Sequence, residues 1–438
     1  MIELLYKYLI APMMAGGYRL AALINPKARE FFRIREDMFE RLEREAGDDG
    51  RFRIMVHVAS AGELLEARPV LRALRSCKDP PYLVLSYTSP SLTDKLLKDS
   101  ADLVTPSPLD TPGRVKRFLN LVRPDLVVWS SYDVWPALAW EAHARNIPLF
   151  LVNARLPAVS GRYRFPARLL FSRVYSRLQA VGAIDDDSAR RFRHLGVPSA
   201  TVSVTGNCRF DETLARCRSV AVSDPDLRPL PDNELVLILA STWPQDHERV
   251  LPALAELLEK YPGLSAVVAP HEPSDRHLAE IEDFLQARNI PHQRYRSLRE
   301  EGKQGDRVVV VDTVGVLYKL YKKGHAAYVG GSFQQGVHNV MEPAGMGLPV
   351  LTGPVHHNSP EAERMIEQGG AYEVRGSEDV VRVVSGWMDD PSSRERAGQK
   401  ALDMIQQSAG ATRKTMELLS EHLPQEENAW GAKQDENI

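Results

Sequence analysis

The sequence predicts an α/β protein made of two doubly wound domains, each a parallel sheet covered by helices on both faces. Three observations carry this reading. Short apolar runs alternate with longer amphipathic stretches along most of the chain, the rhythm of βαβ units. The series runs twice, and residues 219–233 (SVAVSDPDLRPLPDN), with three prolines, three aspartates and no periodicity, separate the two runs. A chain of 438 residues also exceeds what one core covers and suits two domains of about 200 residues.

In the first series, strands are expected at 54–58, 82–86, 126–129, 148–152, 179–183 and 202–205, with helices at 63–75, 92–98 and 135–145. In the second they are expected at 235–239, 265–269, 308–311, 326–329 and 349–351, each followed by a helix, and the last helices fall around 392–422. The division read from this pattern is an N-terminal segment 1–26, a first domain 27–218, a linker 219–233 and a second domain 234–423. A polar tail, 424–438, is expected to be disordered. Two Rossmann-like domains joined by one linker are expected to face each other across a cleft lined by the carboxyl ends of both sheets. This is the architecture called GT-B. Epimerases and phosphorylases share it, so the residues at the strand ends must decide the chemistry.

Composition narrows the class. Hydrophobic content of 43% and charged content of 26% are those of a globular protein. Cys77, Cys208 and Cys217 have neither the number nor the spacing of a disulfide framework or zinc site, so a reducing cytoplasm is the expectation. The net charge of −3 hides an asymmetry: residues 1–218 carry 33 Lys and Arg against 24 Asp and Glu (+9), and residues 219–438 carry 22 against 34 (−12). A basic first half fits an anionic partner such as phosphates or a membrane surface. Nucleic acid is not expected, because no aromatic stacking pattern interleaves the basic residues. The uncharged run Tyr8–Tyr18 is followed by Leu20–Ile24, but Arg19 and Pro12 interrupt it. It falls short of the roughly 20 apolar residues that span a bilayer. With Lys7, Arg19, Lys27, Arg29, Arg33 and Arg35 nearby, the segment reads as lying in a membrane interface or packing on its own domain.

Several strand ends carry candidate chemistry. In His57-Val58-Ala59-Ser60-Ala61-Gly62-Glu63 a strand ends in a tight turn and a carboxylate opens the next helix, where free amides and the helix dipole favour its charged form. An ionised carboxylate at such a place suits a general base; the plainer alternative is an ordinary first-turn glutamate. The second domain has four turns suited to a nucleotide. Ala240-Ser241-Thr242-Trp243 and Asp312-Thr313-Val314-Gly315-Val316-Leu317 converge amides and hydroxyls at helix starts. Val329-Gly330-Gly331-Ser332 lets backbone approach a ligand, and His338-Asn339-Val340-Met341-Glu342-Pro343 offers Glu342 to ribose hydroxyls. No metal is expected: Asp185-Asp186-Asp187 reads as a helix cap with first-turn acids, and no His, Cys and Asp grouping has metal spacing.

These residues resemble a family, the Kdo transferases, which move Kdo (3-deoxy-D-manno-octulosonic acid) from CMP-Kdo to a lipid A precursor at the inner membrane. The likeness runs from residue 1 to about 420. Its first part comprises Ala59–Glu63 with Pro69 and Arg72-Ala73-Leu74, Pro106–Asp110, Arg117-Phe118-Leu119, Trp135-Pro136, Asn153–Leu156 and Gly206–Asp211. It continues in Ser241-Thr242, Asp312-Thr313, Gly330-Gly331-Ser332, His338-Asn339, Glu342-Pro343, and Gly353-Pro354 with Asn358. The resemblance implies that Glu63 is the catalytic base and that Arg209, standing where many members have lysine, stabilises the transition state. It implies CMP-Kdo contacts at Pro270-His271, Val314-Gly315-Val316 and Asn339-Val340-Met341-Glu342. It further implies that the hydrophobic N-terminus associates with the cytoplasmic side of the inner membrane, with no cofactor required.

The chain departs from the family pattern in three places. Where many members have Glu-Thr-Glu, it has Ser131-Tyr132-Asp133, so a supporting catalytic glutamate is replaced by Ser131. Where Pro-Arg-His is usual it has Pro270-His271-Glu272, and where Gly-Gly-His-Asn is usual it has Gly336-Val337-His338-Asn339. These departures mark a variant subgroup. The competing readings are a GT-B transferase using another nucleotide sugar, an epimerase of the same fold, and an inactive membrane-bound binding module.

Overall fold

The computed structural model describes residues 2–424 apart from 48, 93 and 98. The expected polar tail lies outside the described residues except for its first position, Pro424. By their contacts the described residues form two compact units, one of residues up to Glu212 together with those from Ala409, the other Thr213–Ser408.

Among the described residues the first unit holds one seven-stranded parallel sheet. Its strands are β1 (Arg53–Val58), β2 (Tyr82–Tyr87), β3 (Leu103–Pro106), β4 (Leu126–Ser130), β5 (Leu149–Ala154), β6 (Ala180–Ala183) and β7 (Val202–Val204), in the order β3-β2-β1-β4-β5-β6-β7. The second unit repeats the plan with β8 (Leu235–Thr242), β9 (Leu264–Pro270), β10 (His292–Arg294), β11 (Val308–Val310), β12 (Ala326–Val329), β13 (Val350–Thr352) and β14 (Ala371–Glu373), in the order β10-β11-β9-β8-β12-β13-β14. All pairings are parallel. Both are doubly wound sheets, as expected.

The strands read as continuous apolar runs because both faces of each sheet are covered. Alternation along the strand sorts side chains between the two faces. Met55 joins one core layer while Ile54, Val56 and Val58 join the other. In the second unit Leu235, Leu237 and Leu239 face one layer, and Val236, Ile238 and Ala240 the other.

Three strands absent from the sequence reading, β3, β10 and β14, are all sheet edges. An edge strand is short and flanked on one side only, so His292-Gln293-Arg294 and Ala371-Tyr372-Glu373 carry no apolar run to betray them. The unit boundaries also differ from those read in the sequence. The expected linker is packed against the second sheet, with Val220, Leu227 and Leu230 buried in its core. The chain then returns: the helix Ala411–Ser420 buries Ala411, Met416 and Leu419 in the first unit's core, although its sequence position placed it with the second domain.

The N-terminal segment is helical from Ile2 to Ile24, with a π turn at Tyr6–Ile10. Pro12 has no N–H to offer the preceding turn, which is where the helix loosens. Tyr6 and Ala11 are buried on the first unit, while Leu4, Tyr8, Leu9, Met13, Leu20, Leu23 and Ile24 are exposed. Among the described residues no helix is long and apolar enough to cross a membrane.

Candidate active site and nucleotide site

In the first unit the helix Ala61–Arg75 begins where β1 ends. Ser60 caps it, its hydroxyl accepting the Glu63 amide at 3.3 Å, and the Glu63 carboxylate reaches back to accept the Ala59 amide at 2.6 Å. This reciprocal cap fixes the carboxylate at the carboxyl end of the sheet. The expectation that amides and helix dipole hold Glu63 in its charged form is corrected by its burial. Desolvation outweighs the Ala59 hydrogen bond, the like charges of Asp133 and Glu66 add to it, and the pKa is raised to about 7.

Asp133 follows β4, the strand next to β1. Its carboxyl is pushed above the usual range by burial, which the Arg162 guanidinium, 3.8 Å away, partly offsets. Ser131, between them in sequence and buried, has φ +73. Asn153, at the end of β5, has φ +50. Non-glycine residues in the left-handed region cost on the order of 1 kcal/mol and collect at functional strand ends.

Asn153 also organises the segment that carries Arg209. Its amide nitrogen donates to the Ser130 hydroxyl (3.3 Å) and the Glu66 carbonyl (3.2 Å), and its amide oxygen accepts the Cys208 amide at 2.9 Å. The next residue, Arg209, opens the helix Arg209–Ser219, its own amide donating to the Asn207 side chain at 2.8 Å. Thus one asparagine ties the strand end of Ser130 and Ser131 and the helix of Glu63 to the turn of Arg209.

Beside this lies a cavity of about 380 Å³ lined by Tyr6, Met14, Tyr18, Thr88, Asp133 and Trp135 among others. Asp110 stands in its wall. Its carboxylate accepts the Tyr6 hydroxyl (2.8 Å) and the amides of Ala137 (2.8 Å) and Leu138 (3.0 Å), capping the helix Pro136–Ala144 from a distance. Burial still raises its pKa to about 6.

In the second unit the sheet order sets β9, β8 and β12 side by side, so two of the four expected turns, Ala240–Trp243 and Val329–Ser332, converge with Pro270-His271 at their carboxyl ends. Ser241 has φ +50, and Thr242 is buried with its hydroxyl 2.8 Å from His247 Nε2. The His271 amide, following Pro270, donates to the Thr242 carbonyl at 2.9 Å. Gly331 has φ +81, and a Cβ there would sit 2.5 Å from the Gly336 carbonyl oxygen and 2.9 Å from the His338 ring, so only glycine fits. Ser332 is buried, its hydroxyl accepting the Gly353 amide at 2.7 Å.

Over this floor stand three rings. His271 and His338 stack at 4.1 Å with 9° between their planes, and Trp243 stacks on His271 at 4.9 Å. The Trp243 indole N–H donates to His338 Nε2 at 2.9 Å, which places the proton of neutral His338 on Nδ1. Burial lowers the pKa of both imidazoles, that of His338 to about 4, where the adjacent His271 contributes further.

The remaining expected residues are less gathered. Val314, Gly315 and Val316 lie one strand away, past β11, with Val314 exposed and Gly315 at φ +86. Val340 and Met341 are buried, so the Asn339 side chain, which accepts the Met341 amide at 3.1 Å, marks the accessible part of that turn. Glu342 is held by Arg216 at 2.7 Å, whose guanidinium lies 4.2 Å from the Tyr318 ring. Asn358 donates to the Val337 carbonyl at 2.9 Å and packs behind Gly336.

One positioning residue went unread in the sequence, Asp246, and Trp243 was read only as the end of its turn. Asp246 is fully buried and accepts the amides of Trp243 and Gly331, both at 2.8 Å, and the Tyr328 hydroxyl at 2.6 Å. Its signal was the acid at the third position of a helix opened by Pro244. Asp185 accepts the Ser188 amide at 2.6 Å, so the Asp185–Asp187 run caps a helix, as expected. Among the described residues one grouping of His, Cys, Asp and Glu has donor atoms close enough to share a metal ion, His356, His357 and Glu363.

Comparison with known proteins places this geometry. A family model described as 3-deoxy-D-manno-octulosonic-acid transferase (kdotransferase) matches residues 34–212. The 3-deoxy-D-manno-octulosonic acid transferase of Haemophilus influenzae is 31% identical over 382 residues, covering 84% of this chain and 87% of its own. That of Chlamydophila psittaci is 29% identical, covering 84% of each. Among solved structures, the Neisseria meningitidis UDP-GlcNAc 2-epimerase bound to UDP-GlcNAc superposes with a TM-score of 0.61 at 16% identity, over 84% of this chain and all of that one. The Methanocaldococcus jannaschii UDP-GlcNAc 2-epimerase gives 0.50 at 15%, over 81% of this chain and all of that one. At these identities the two structures speak for the GT-B fold alone. The chain belongs to the 3-deoxy-D-manno-octulosonic acid transferase family and is a glycosyltransferase of the GT-B type.

Proposed function

We propose that this protein transfers Kdo from CMP-Kdo to a sugar hydroxyl of a lipid A precursor, in lipopolysaccharide biosynthesis, by an inverting displacement that needs no metal. The observation that carries the reading is Glu63: a carboxylate pinned at the carboxyl end of a sheet by its own helix cap, with its pKa raised to about 7. A base of that strength can take a proton from a hydroxyl at neutral pH.

In this reading the acceptor oxygen gives its proton to Glu63 and forms a bond to the anomeric carbon. The bond from that carbon to the CMP phosphate oxygen breaks, and its electron pair leaves with CMP. Attack opposite the leaving group inverts the centre. Arg209 supplies positive charge toward the departing phosphate, and Asp133 and Ser131 support Glu63. The nucleotide is taken by the turns of Ser241-Thr242, Pro270-His271 and Gly331-Ser332 and by Asn339, with the 314–316 turn at the margin. Fixed amides at those turns favour an anion without a metal ion.

A lipid acceptor is supported by the apolar cavity beside Asp133 and by the exposed apolar side chains of residues 4–24. With the basic excess of the first half, these favour residence on the cytoplasmic face of the inner membrane. Mass spectrometry of the lipid made from CMP-Kdo and a bisphosphorylated lipid A precursor tests the proposal. A product heavier by one or more Kdo residues supports it, and an unchanged acceptor sinks it. Inhibition by CMP but not by UDP or GDP separates this donor from other nucleotide sugars.

A further inference from the structure

The loop after β13 carries His356 and His357, and neither they nor Glu363, on the helix Pro360–Glu367, enter the reaction above. Each offers one donor atom, and the three donors lie within 4.8 Å of one another. His356 is buried, and its two ring nitrogens are unequal. Nε2 lies 3.1 Å from the Glu373 carboxylate on the edge strand β14, so the proton sits on Nε2. Nδ1 is left with a buried lone pair and no hydrogen-bond partner. A buried acceptor without a partner is costly, and a carboxylate behind one nitrogen of an imidazole is the usual outer support of a metal-ligating histidine.

We propose that His356 Nδ1, His357 and Glu363 form a binding site for a divalent transition-metal ion of the zinc class, with Glu373 as its outer support. Two imidazoles and one carboxylate suit zinc and its neighbours, whereas magnesium and calcium take oxygen donors. His357 Nδ1 and Glu363 share a proton at 2.6 Å. The ion takes that proton's place, and the imidazole takes one up on Nε2. Tetrahedral zinc needs donors about 3.3 Å apart, and the His357 side chain, 80% exposed, is free to close the remainder.

The site is placed to act on the nucleotide floor. In the same loop the Val355 amide donates to the Ser332 carbonyl (2.8 Å), the Val355 carbonyl accepts the Val337 amide (2.9 Å), and Asn358 donates to Val337. An ion joining this loop to the following helix therefore stiffens the backbone that holds Ser332 and His338, without touching the reacting atoms.

Calorimetric titration of the full chain, stripped with EDTA, with zinc chloride tests this. One ion per chain at micromolar affinity or tighter is expected, with no binding of magnesium at the same concentration. His357→Gln should weaken binding at least about 10-fold. Glu373→Gln, which leaves all three donors in place but frees the tautomer of His356, should weaken it by about 10- to 100-fold. Circular dichroism confirms that each variant is folded. Absence of zinc binding, or affinity unchanged in either variant, overturns the proposal. The readout is binding alone, so it stands or falls separately from Kdo transfer.

Discussion

The Glu63 carboxylate accepts the amide of Ala59, four residues behind it, at 2.6 Å. The contact makes the side chain part of its own helix cap and fixes it at the carboxyl end of β1. It lowers the pKa, but burial and the nearby Asp133 and Glu66 raise it more.

The pH dependence follows. In the proposed reaction the reactive form is the carboxylate, so kcat/KM should rise with pH and level off above about 7, a limb absent from Glu63→Gln. Turnover in that variant should fall about 10²- to 10⁴-fold. Stability should move the other way. A carboxyl whose pKa is higher in the folded chain stabilises the fold below its ordinary pKa and loses that contribution as pH rises through about 7. Glu63→Gln should therefore melt higher than the parent at pH 8 and equally at pH 4, measured by calorimetry. Near-normal turnover in the glutamine variant would remove Glu63 from the chemistry.

Asp110 holds the first unit together near the cavity. Asp110→Ala leaves the amides of Ala137 and Leu138 and the Tyr6 hydroxyl without their acceptor. The expected loss is about 2–4 kcal/mol. Tyr6→Phe removes one of the three bonds and should cost about 1 kcal/mol. Urea denaturation of both variants checks the ranking, which equal losses would contradict.

Gly331→Ala should disable the second unit. Its φ is +81 and the added carbon would meet the Gly336 carbonyl and the His338 ring, so the turn must shift or the fold must loosen. A loss of more than about 2 kcal/mol is expected. Gly376→Ala, in open space at extended φ, is the control. A soluble, fully stable Gly331→Ala chain that binds CMP normally would contradict this account.

Trp243→Phe keeps a ring on His271 but removes the hydrogen bond that sets the tautomer of His338. KM for CMP-Kdo should rise several-fold with kcat little changed, because in the proposed reaction the stack serves nucleotide binding. Steady-state kinetics separate the two, and a fall in kcat alone would place Trp243 with the chemistry instead.

Periodicity made much of this legible. Central strands buried on both faces must be apolar throughout, so β1, β2, β4, β5, β9 and β12 show in the sequence to within two residues of their ends, and β8 up to Leu239. Turn chemistry was readable too, because paired glycines mark the turn at Gly331 and a carboxylate just past a tight turn marks where Glu63 opens its helix. Edge strands escaped, since one exposed side relaxes the demand for apolar residues. So did Asp246, whose partners Gly331 and Tyr328 are more than eighty residues away in sequence.

By itself, then, the sequence determined two doubly wound sheets, the turns at their carboxyl ends and the family to which the chain belongs, because each is written in local spacing or ordered motifs. Only the tertiary structure decided that the expected linker and the helix Ala411–Ser420 pack where they do, that Asn153 ties Arg209's turn to Glu63's helix, and that His356 keeps a buried lone pair. It also reversed the charge preference expected for Glu63. A helix dipole acts over one turn and is visible in the chain, but desolvation is set by everything that folds around the carboxylate.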